Sequence, residues 1–223
     1  MSWAGTILRV DLTKGKMEKE PTAPYVKDYI GGALIGSRIF GEEVPPDTRA
    51  YDPKNLLMFN TGPLTGTLLG NRGEFASKTP ERTNNPYVHV GIGGQFPSEV
   101  KFAGYDHIVI KGKAKGPVYL FINNDNVEIR DAKHLWGLDT WETQRRIKKE
   151  LGDPDVQIAC IGPAGENLVV YALIMHDINN TVSRKGLGAV MGSKNLKAVA
   201  VRGTKGLKVA DPKAFLALYD EFF

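Results

Sequence analysis

The sequence predicts a β-rich fold with a few helices, built as two related halves. Short apolar stretches bounded by turn residues recur along the chain, and helical signatures are confined to three places. A glycine-rich octapeptide also occurs twice, as Gly91-Ile92-Gly93-Gly94-Gln95-Phe96-Pro97-Ser98 and as Gly186-Leu187-Gly188-Ala189-Val190-Met191-Gly192-Ser193. Each copy is followed by a segment that starts on lysine and ends in an apolar strand, a base and a glycine: Lys101 to Gly112 and Lys194 to Gly203. Each is preceded by a strand running into Gly-Pro, at Gly62-Pro63-Leu64-Thr65-Gly66 and at Gly162-Pro163-Ala164-Gly165. This duplication predicts two related glycine loops. If the halves pack about an approximate two-fold axis, the loops make one site for a symmetric or paired ligand.

The elements follow in order. Gly5 to Leu12 alternates Ile7, Arg9 and Asp11 against Leu8, Val10 and Leu12, and the turn Thr13-Lys14-Gly15-Lys16 leads into a second strand, a hairpin. Tyr25 to Phe40 is the first helix, weakened by Gly31-Gly32 and Gly36 at about 1 kcal/mol each. Strands are expected at Asn55–Asn60, Gly73–Ser77, Tyr87–Val90 and His107–Lys111, and Val118–Asn123 pairs with Val127–Arg130 as a hairpin. Asp139-Thr140-Trp141-Glu142 reads as a capping box that opens the second helix, and Gly152-Asp153-Pro154 ends it. Strands are expected again at Val156–Ile161, Leu168–Met175 and Ala198–Arg202. A last helix starts at Asp211 as N-cap with Pro212 in its first turn. Phe215, Leu218, Tyr219, Phe222 and Phe223 lie along one face of it. That apolar face predicts a fragment: a domain over residues 1–210, then at 211–223 the start of a helix leading into a following domain.

Composition narrows the function classes. A chain of 223 residues buries a real core. Its 25 glycines exceed the usual share of roughly 7%, which suits tight turns or a binding surface made of main chain. A net charge of +4 favours an anionic ligand but is too weak to argue for nucleic acid. One cysteine, Cys160 in an apolar run, excludes an intramolecular disulfide and an all-cysteine metal site within these residues. No stretch reaches the ~18 apolar residues of a membrane span, and the start lacks the pattern of a signal peptide, so a reduced cytoplasm is expected.

The glycine loops leave backbone N–H groups open to phosphate oxygens, although read bare they fit tight turns equally well. Neither has the spacing of a Walker loop or of a dinucleotide-binding fingerprint. Arg72, after Gly70-Asn71, and Arg184, between Ser183 and Lys185, are cations placed to clamp a phosphate.

Several motifs together go beyond generic patterns: Gly62-Pro63-Leu64-Thr65-Gly66-Thr67, Lys101-Phe102-Ala103-Gly104-Tyr105-Asp106, Ile129-Arg130-Asp131-Ala132, Ile161 to Leu168 (IGPAGENL) and Gly188 to Ala198 (GAVMGSKNLKA). In this order they resemble the N-terminal domain of tungsten-containing aldehyde:ferredoxin oxidoreductases, from the first hairpin to about Asp211. The resemblance implies an α+β domain of two intertwined repeats that forms the base for a bis-pterin tungsten cofactor, with a magnesium ion bridging the pterin phosphates. By this resemblance Arg72 falls on a pterin-contacting arginine and Gly93 on a pterin-contacting glycine, with Gly94 beside it. Gly91 falls where the family often has asparagine. Asn180, Thr181 and Ser183 fall in a segment commonly reading Arg-Ala-Ala-Gly-Arg-Gly-Gly, so one arginine contact is lost at Asn180. Arg184 or Lys185 is placed to compensate, and Gly186 and Gly188 complete the second loop. A backbone carbonyl ligand survives substitution, so magnesium is expected on the carbonyls of Gly91 and Thr181.

The same resemblance implies oxidation of aldehydes to carboxylic acids with ferredoxin as acceptor. The acid–base residues and a 4Fe-4S cluster would lie in later domains of the same chain, and this fragment would be inactive alone. No tungsten ligand is expected among His89, His107, His134, His176 or Cys160, and the His176-Asp177 pair is expected to make a structural hydrogen bond. Partners would be ferredoxin, those later domains and a second copy in a homodimer. The alternatives are an aromatic acyl-CoA reductase of the same family, a stand-alone carrier of a pterin cofactor, and, ranked last on loop spacing, a nucleotide-binding domain.

Overall fold

The computed structural model describes residues 2–182 and 184–222. Twelve strands form two six-stranded sheets among these residues, and each half of the chain builds its own sheet. The first sheet holds β1 (Thr6–Asp11), β2 (Lys16–Pro21), β3 (Leu57–Thr61), β4 (Gly73–Lys78), β5 (Tyr87–Ile92) and β6 (His107–Lys111), in the order β2-β1-β6-β3-β4-β5. The second holds β7 (Val118–Asn123), β8 (Asn126–Asp131), β9 (Gln157–Cys160), β10 (Ile174–His176), β11 (Asn180–Val182) and β12 (Leu196–Arg202), in the order β8-β7-β12-β9-β10-β11. The two orders are the same path walked twice. In each half the last strand returns parallel to the first, β6 on β1 and β12 on β7, while every other pairing is antiparallel. The α+β duplication expected from the sequence is therefore present in the topology.

The helices are α1 (Ala23–Val26), α2 (Gly32–Glu43), α3 (Phe96–Phe102), α4 (Thr140–Leu151), α5 (Pro163–Glu166), α6 (Leu187–Ser193) and α7 (Pro212–Phe222). Strand alternation sorts the core into three layers. Leu8, Val10, Phe59 and Ile108 meet Leu120, Ile122, Ala159 and Val199 between the sheets. Ile7, Met58 and Val109 turn outward under Ile35 and Ile39 of α2. Tyr119, Ile158 and Ala198 turn outward under Ile147 of α4. The short helices α3 and α6 are buried between the sheets and exchange contacts across the halves: α3 packs on β9 and β12 as well as on β3, and α6 on β3 and β4 as well as on β12. This exchange is how the repeats intertwine.

Four sequence expectations change. The first helix is split, because Gly31 is extended and Gly31 and Gly32 press against Pro63 and Thr61, where a Cβ would lie 3.1 Å from its neighbour. The strand expected over Leu168–Met175 shortens to β10, because α5 closes with Leu168 N–H on the Gly165 carbonyl and Leu168 in the left-handed region. Both glycine octapeptides end as helices, α3 and α6, which seven residues and several glycines do not announce. The β10–β11 hairpin was also absent from the sequence reading. The N-cap at Asp139 is as expected, its carboxylate accepting from Glu142 N–H at 2.7 Å, and Asp211 caps α7 by accepting from Ala214 N–H. No helix among the described residues is long and apolar enough to cross a membrane. No side chain of α7 is fully buried, and Phe223 lies outside the described residues.

Candidate functional site

A cavity of about 430 Å³ opens where the N-terminus of α2 meets the ends of β3, β4 and β5. Arg72, Glu74, Asn60, His89, Gly91 and Gly32 line it. Gly31 caps α2 without a side-chain acceptor and the first turn carries no acidic residue, so the positive end of the helix dipole is left uncompensated. Arg72 adds a full charge. It is exposed and forms no ion pair among the described residues. The cavity is therefore electropositive on one side.

The floor of the cavity is a row of polar side chains on adjacent strands. His107, Asn60 and Glu74 are direct cross-strand neighbours on β6, β3 and β4, and Gly91 on β5 continues the row. Asn60 donates its amide N–H to Glu74 Oε1 at 3.0 Å, and its own oxygen lies 2.9 Å from His107 Nδ1. Glu74 Oε2 lies 3.4 Å from Nδ1 of the exposed His89. Burial pushes His107 down to about 4, so its ring is neutral at physiological pH, and Nε2 has no partner among the described residues. Burial also raises the Glu74 carboxyl above the usual carboxylate range, against the opposing hydrogen bonds from Asn60 and His89.

The second half repeats this cavity with different chemistry. A space of about 360 Å³ lies at the N-terminus of α4, beside Gly162-Pro163 and the approach to β10. In the repeat register Cys160 takes the place of Asn60, Met175 that of Glu74 and Ala198 that of His107. Its row is apolar. Cys160 is fully buried and burial drives its thiol up to about 12, an inert packing residue.

The halves touch at the first glycine loop. Gly94 has φ of 76°, and a Cβ on it would fall 2.0 Å from Asp177 Oδ2. From the β10–β11 turn that oxygen accepts from Gln95 N–H at 2.7 Å and Phe96 N–H at 3.3 Å, capping α3 from the opposite half. His176 Nδ1 sits 3.0 Å from the same oxygen, and Asn180 donates to it at 3.4 Å. Burial pushes Asp177 up, but His176 and the two amides outweigh it and hold the carboxyl below its ordinary value.

The sequence-selected residues thus separate into groups. Arg72, Gly91 and Gly93 come together: Arg72 Nη1 lies 3.7 Å from where a Gly93 Cβ would sit, and nothing lies within 4 Å of that position on Gly91. Gly91 on β5 and Thr181 on β11 belong to edge strands that approach each other across the seam where Gly94 and Asn180 meet. Arg184 is exposed without an ion pair among the described residues, whereas Lys185 is tied to Glu81 at 3.2 Å. Gly186 and Gly188 are packed against the carbonyls of Val170 and Leu173, and Gly188 gives its amide to Ala172. Both glycines are thus close-packed against neighbouring backbone on their Cβ side. Ser183 lies outside the described residues. Asn60, Glu74 and His89 were not singled out by sequence. An acid next to the apolar Phe75-Ala76 of a strand whose residues 74–77 are buried is the available signal.

No group of three or more His, Cys, Asp or Glu among the described residues is placed to hold a metal ion. The observed features do suit a flat, phosphorylated heterocycle: an unpaired guanidinium, an uncapped helix end and the bare backbone of Gly91 and Gly93 beside a cavity.

Residues 7–203 match the family model described as aldehyde ferredoxin oxidoreductase, N-terminal domain. A tungsten-containing aldehyde ferredoxin oxidoreductase of Pyrococcus horikoshii is 44% identical over 97% of this chain and 36% of its own length. The aliphatic sulfonate oxidoreductase, WOR-like subunit, of Pyrococcus furiosus is 40% identical over 100% of this chain and 38% of its own length. A solved structure of the active site complex BamBC of benzoyl coenzyme A reductase, in complex with 1,5 dienoyl-CoA, superposes with a TM-score of 0.94. It is 46% identical and covers 99% of this chain and 34% of that one. The chain thus spans about a third of the length of these relatives.

Proposed function

This chain belongs to the aldehyde ferredoxin oxidoreductase family as its N-terminal domain, and from that premise we propose that it is the base on which a tungsten bis-pterin cofactor rests. The observation that carries the reading is the first cavity, where an unpaired Arg72 stands beside the bare backbone of Gly91 and Gly93 at an uncapped helix end. In this reading Arg72 binds a phosphate or pterin edge, and Gly91 and Gly93 let the ring approach the main chain. The carbonyls of Gly91 and Thr181 would hold a magnesium ion that offsets the phosphate charge. Asn180 keeps the seam in place with Asp177, Arg184 supplies a second cation, and Gly186 and Gly188 act by seating α6.

When bound, such a cofactor supplies two-electron redox chemistry, here oxidation of an aldehyde to a carboxylic acid with ferredoxin as the acceptor. These residues position and enclose it. The substrate channel, the acid–base groups and a 4Fe-4S cluster belong to the remainder of the protein. A second reading, reduction of an aromatic acyl thioester, is favoured by the 46% identity to a benzoyl coenzyme A reductase component.

The test is the full-length protein purified from cells supplied with tungstate. Tungsten and pterin in the preparation, with viologen-linked oxidation of aldehydes, support the first reading; turnover of aromatic acyl-CoA alone selects the second. Arg72→Ala is expected to leave the melting temperature within about 2 °C, since the side chain has no internal partner, and to lower the retained pterin about tenfold. Unchanged retention would remove Arg72 from the site.

A further inference from the structure

We infer that Glu74 is a recognition residue of the first cavity: its Oε2 accepts from the N–H edge of a planar heterocycle whose acidic group lies on Arg72. This rests on the reading of that cavity as a pterin site and adds a residue to it.

The direction of the hydrogen bonds carries the inference. Asn60 donates through its amide nitrogen to Glu74 Oε1, so its oxygen must accept, and the buried His107 donates to it from Nδ1. The row therefore ends on Glu74 with one oxygen consumed and the other aimed at the cavity, where only the exposed His89 approaches, at 3.4 Å. A carboxyl at this position is not a requirement of the fold. The same position in the second half is Met175, over an equivalent cavity where Cys160 and Ala198 stand in place of Asn60 and His107. Burying a carboxyl beside Met58, Ala76 and α2 is unfavourable unless both oxygens find partners.

The neighbours define what this oxygen meets on the cavity side, beyond the exposed His89. Gly91 lies directly across from Glu74 and presents bare backbone, which admits a flat ring. Arg72, two residues before Glu74, supplies an unpaired cation on the same side. A ligand carrying adjacent N–H donors at one end and a phosphate at the other satisfies both, and the amino-pyrimidinone edge of a pterin has those donors.

The test compares full-length wild type, Glu74→Gln and Glu74→Met, all made with tungstate. Asn60 fixes the amide of Glu74→Gln so that its NH₂ faces the ligand N–H edge, donor against donor. We expect pterin, measured as its fluorescent oxidation product, to be released about tenfold faster from Glu74→Gln than from wild type. Glu74→Met copies the second half, and its melting temperature reports whether the site folds without a carboxyl. Equal release rates in wild type and Glu74→Gln overturn the role of Glu74 and leave the cavity reading standing. Wild type that holds no pterin overturns both. If Glu74→Gln does not fold, the holoenzyme crystal structure decides: a ligand nitrogen within hydrogen-bond reach of Oε2 supports the inference, and none within about 4 Å overturns it.

Discussion

Asp177 gathers four donors on one carboxylate oxygen, two of them amides from the opposite half of the molecule. Only glycine at position 94 leaves room for it. Gly94→Ala would force a Cβ into that oxygen and strain a backbone at φ of 76°, costing about 3 kcal/mol and about 8 °C of Tm. A melt within 2 °C of wild type would show that the loop relaxes freely. The lowered carboxyl also fixes a pH dependence. Its stabilisation is fully present above the ordinary value of 3.8 and is lost as pH falls through the lower folded value. The stability difference between wild type and Asp177→Asn should therefore be constant near neutrality and shrink only below about pH 4; denaturant melts at pH 3 to 7 check it. At this scale the sequence points to Arg72, Gly91, Gly93 and Gly94 through motifs that resemble the family, because glycine loops read bare fit tight turns equally well. It was silent on Glu74 and Asn60, whose meaning depends on two strands lying side by side.

Among the elements, α4 was the most legible and α3 and α6 the least. Asp139, Glu142 and Gly152 mark both ends of α4 with residues chosen for local reasons, the last in the left-handed conformation at φ of 67°. Asp139→Ala removes the cap and should cost about 1 kcal/mol, about 3 °C of Tm in a chain of this size. An unchanged Tm would mean that packing on β9 alone holds the helix. The short helices α3 and α6 have no comparable local signal. Their residues are buried between two sheets, and that environment makes seven residues helical, in α6 despite Gly188 and Gly192. The split between α1 and α2 has a similar cause, since close approach to Pro63 and Thr61 selects Gly31 and Gly32 over any helix former.

Across the whole molecule, the exchange of α3 and α6 makes the halves mutually dependent. Each sheet buries its inner face against the other sheet and against both short helices, one of which comes from the other half. Residues 1–115 and 116–211 expressed separately should lack a cooperative thermal transition, and mixing them should restore one; a sharp melt from either alone would show an independent half. The 223-residue chain by itself should show no viologen-linked aldehyde oxidation, and measurable turnover would contradict its place as a supporting base. The duplication also permits divergence, one cavity keeping a polar row and an unpaired arginine while its counterpart became apolar.

That duplication, the β1–β2 and β7–β8 hairpins, the cap of α4 and the family were all determined by the sequence alone, because each rests on residues near one another in the chain or on motifs repeated along it. The tertiary structure decided which glycines stand open and which are packed against other backbone, Gly91 in open space and Gly186 and Gly188 against the carbonyls of Val170 and Leu173. It also decided that Glu74, Asn60 and His107 form one row. Burial and cross-strand register come from contacts between distant segments, and they turn an isolated glutamate in a strand into part of a site.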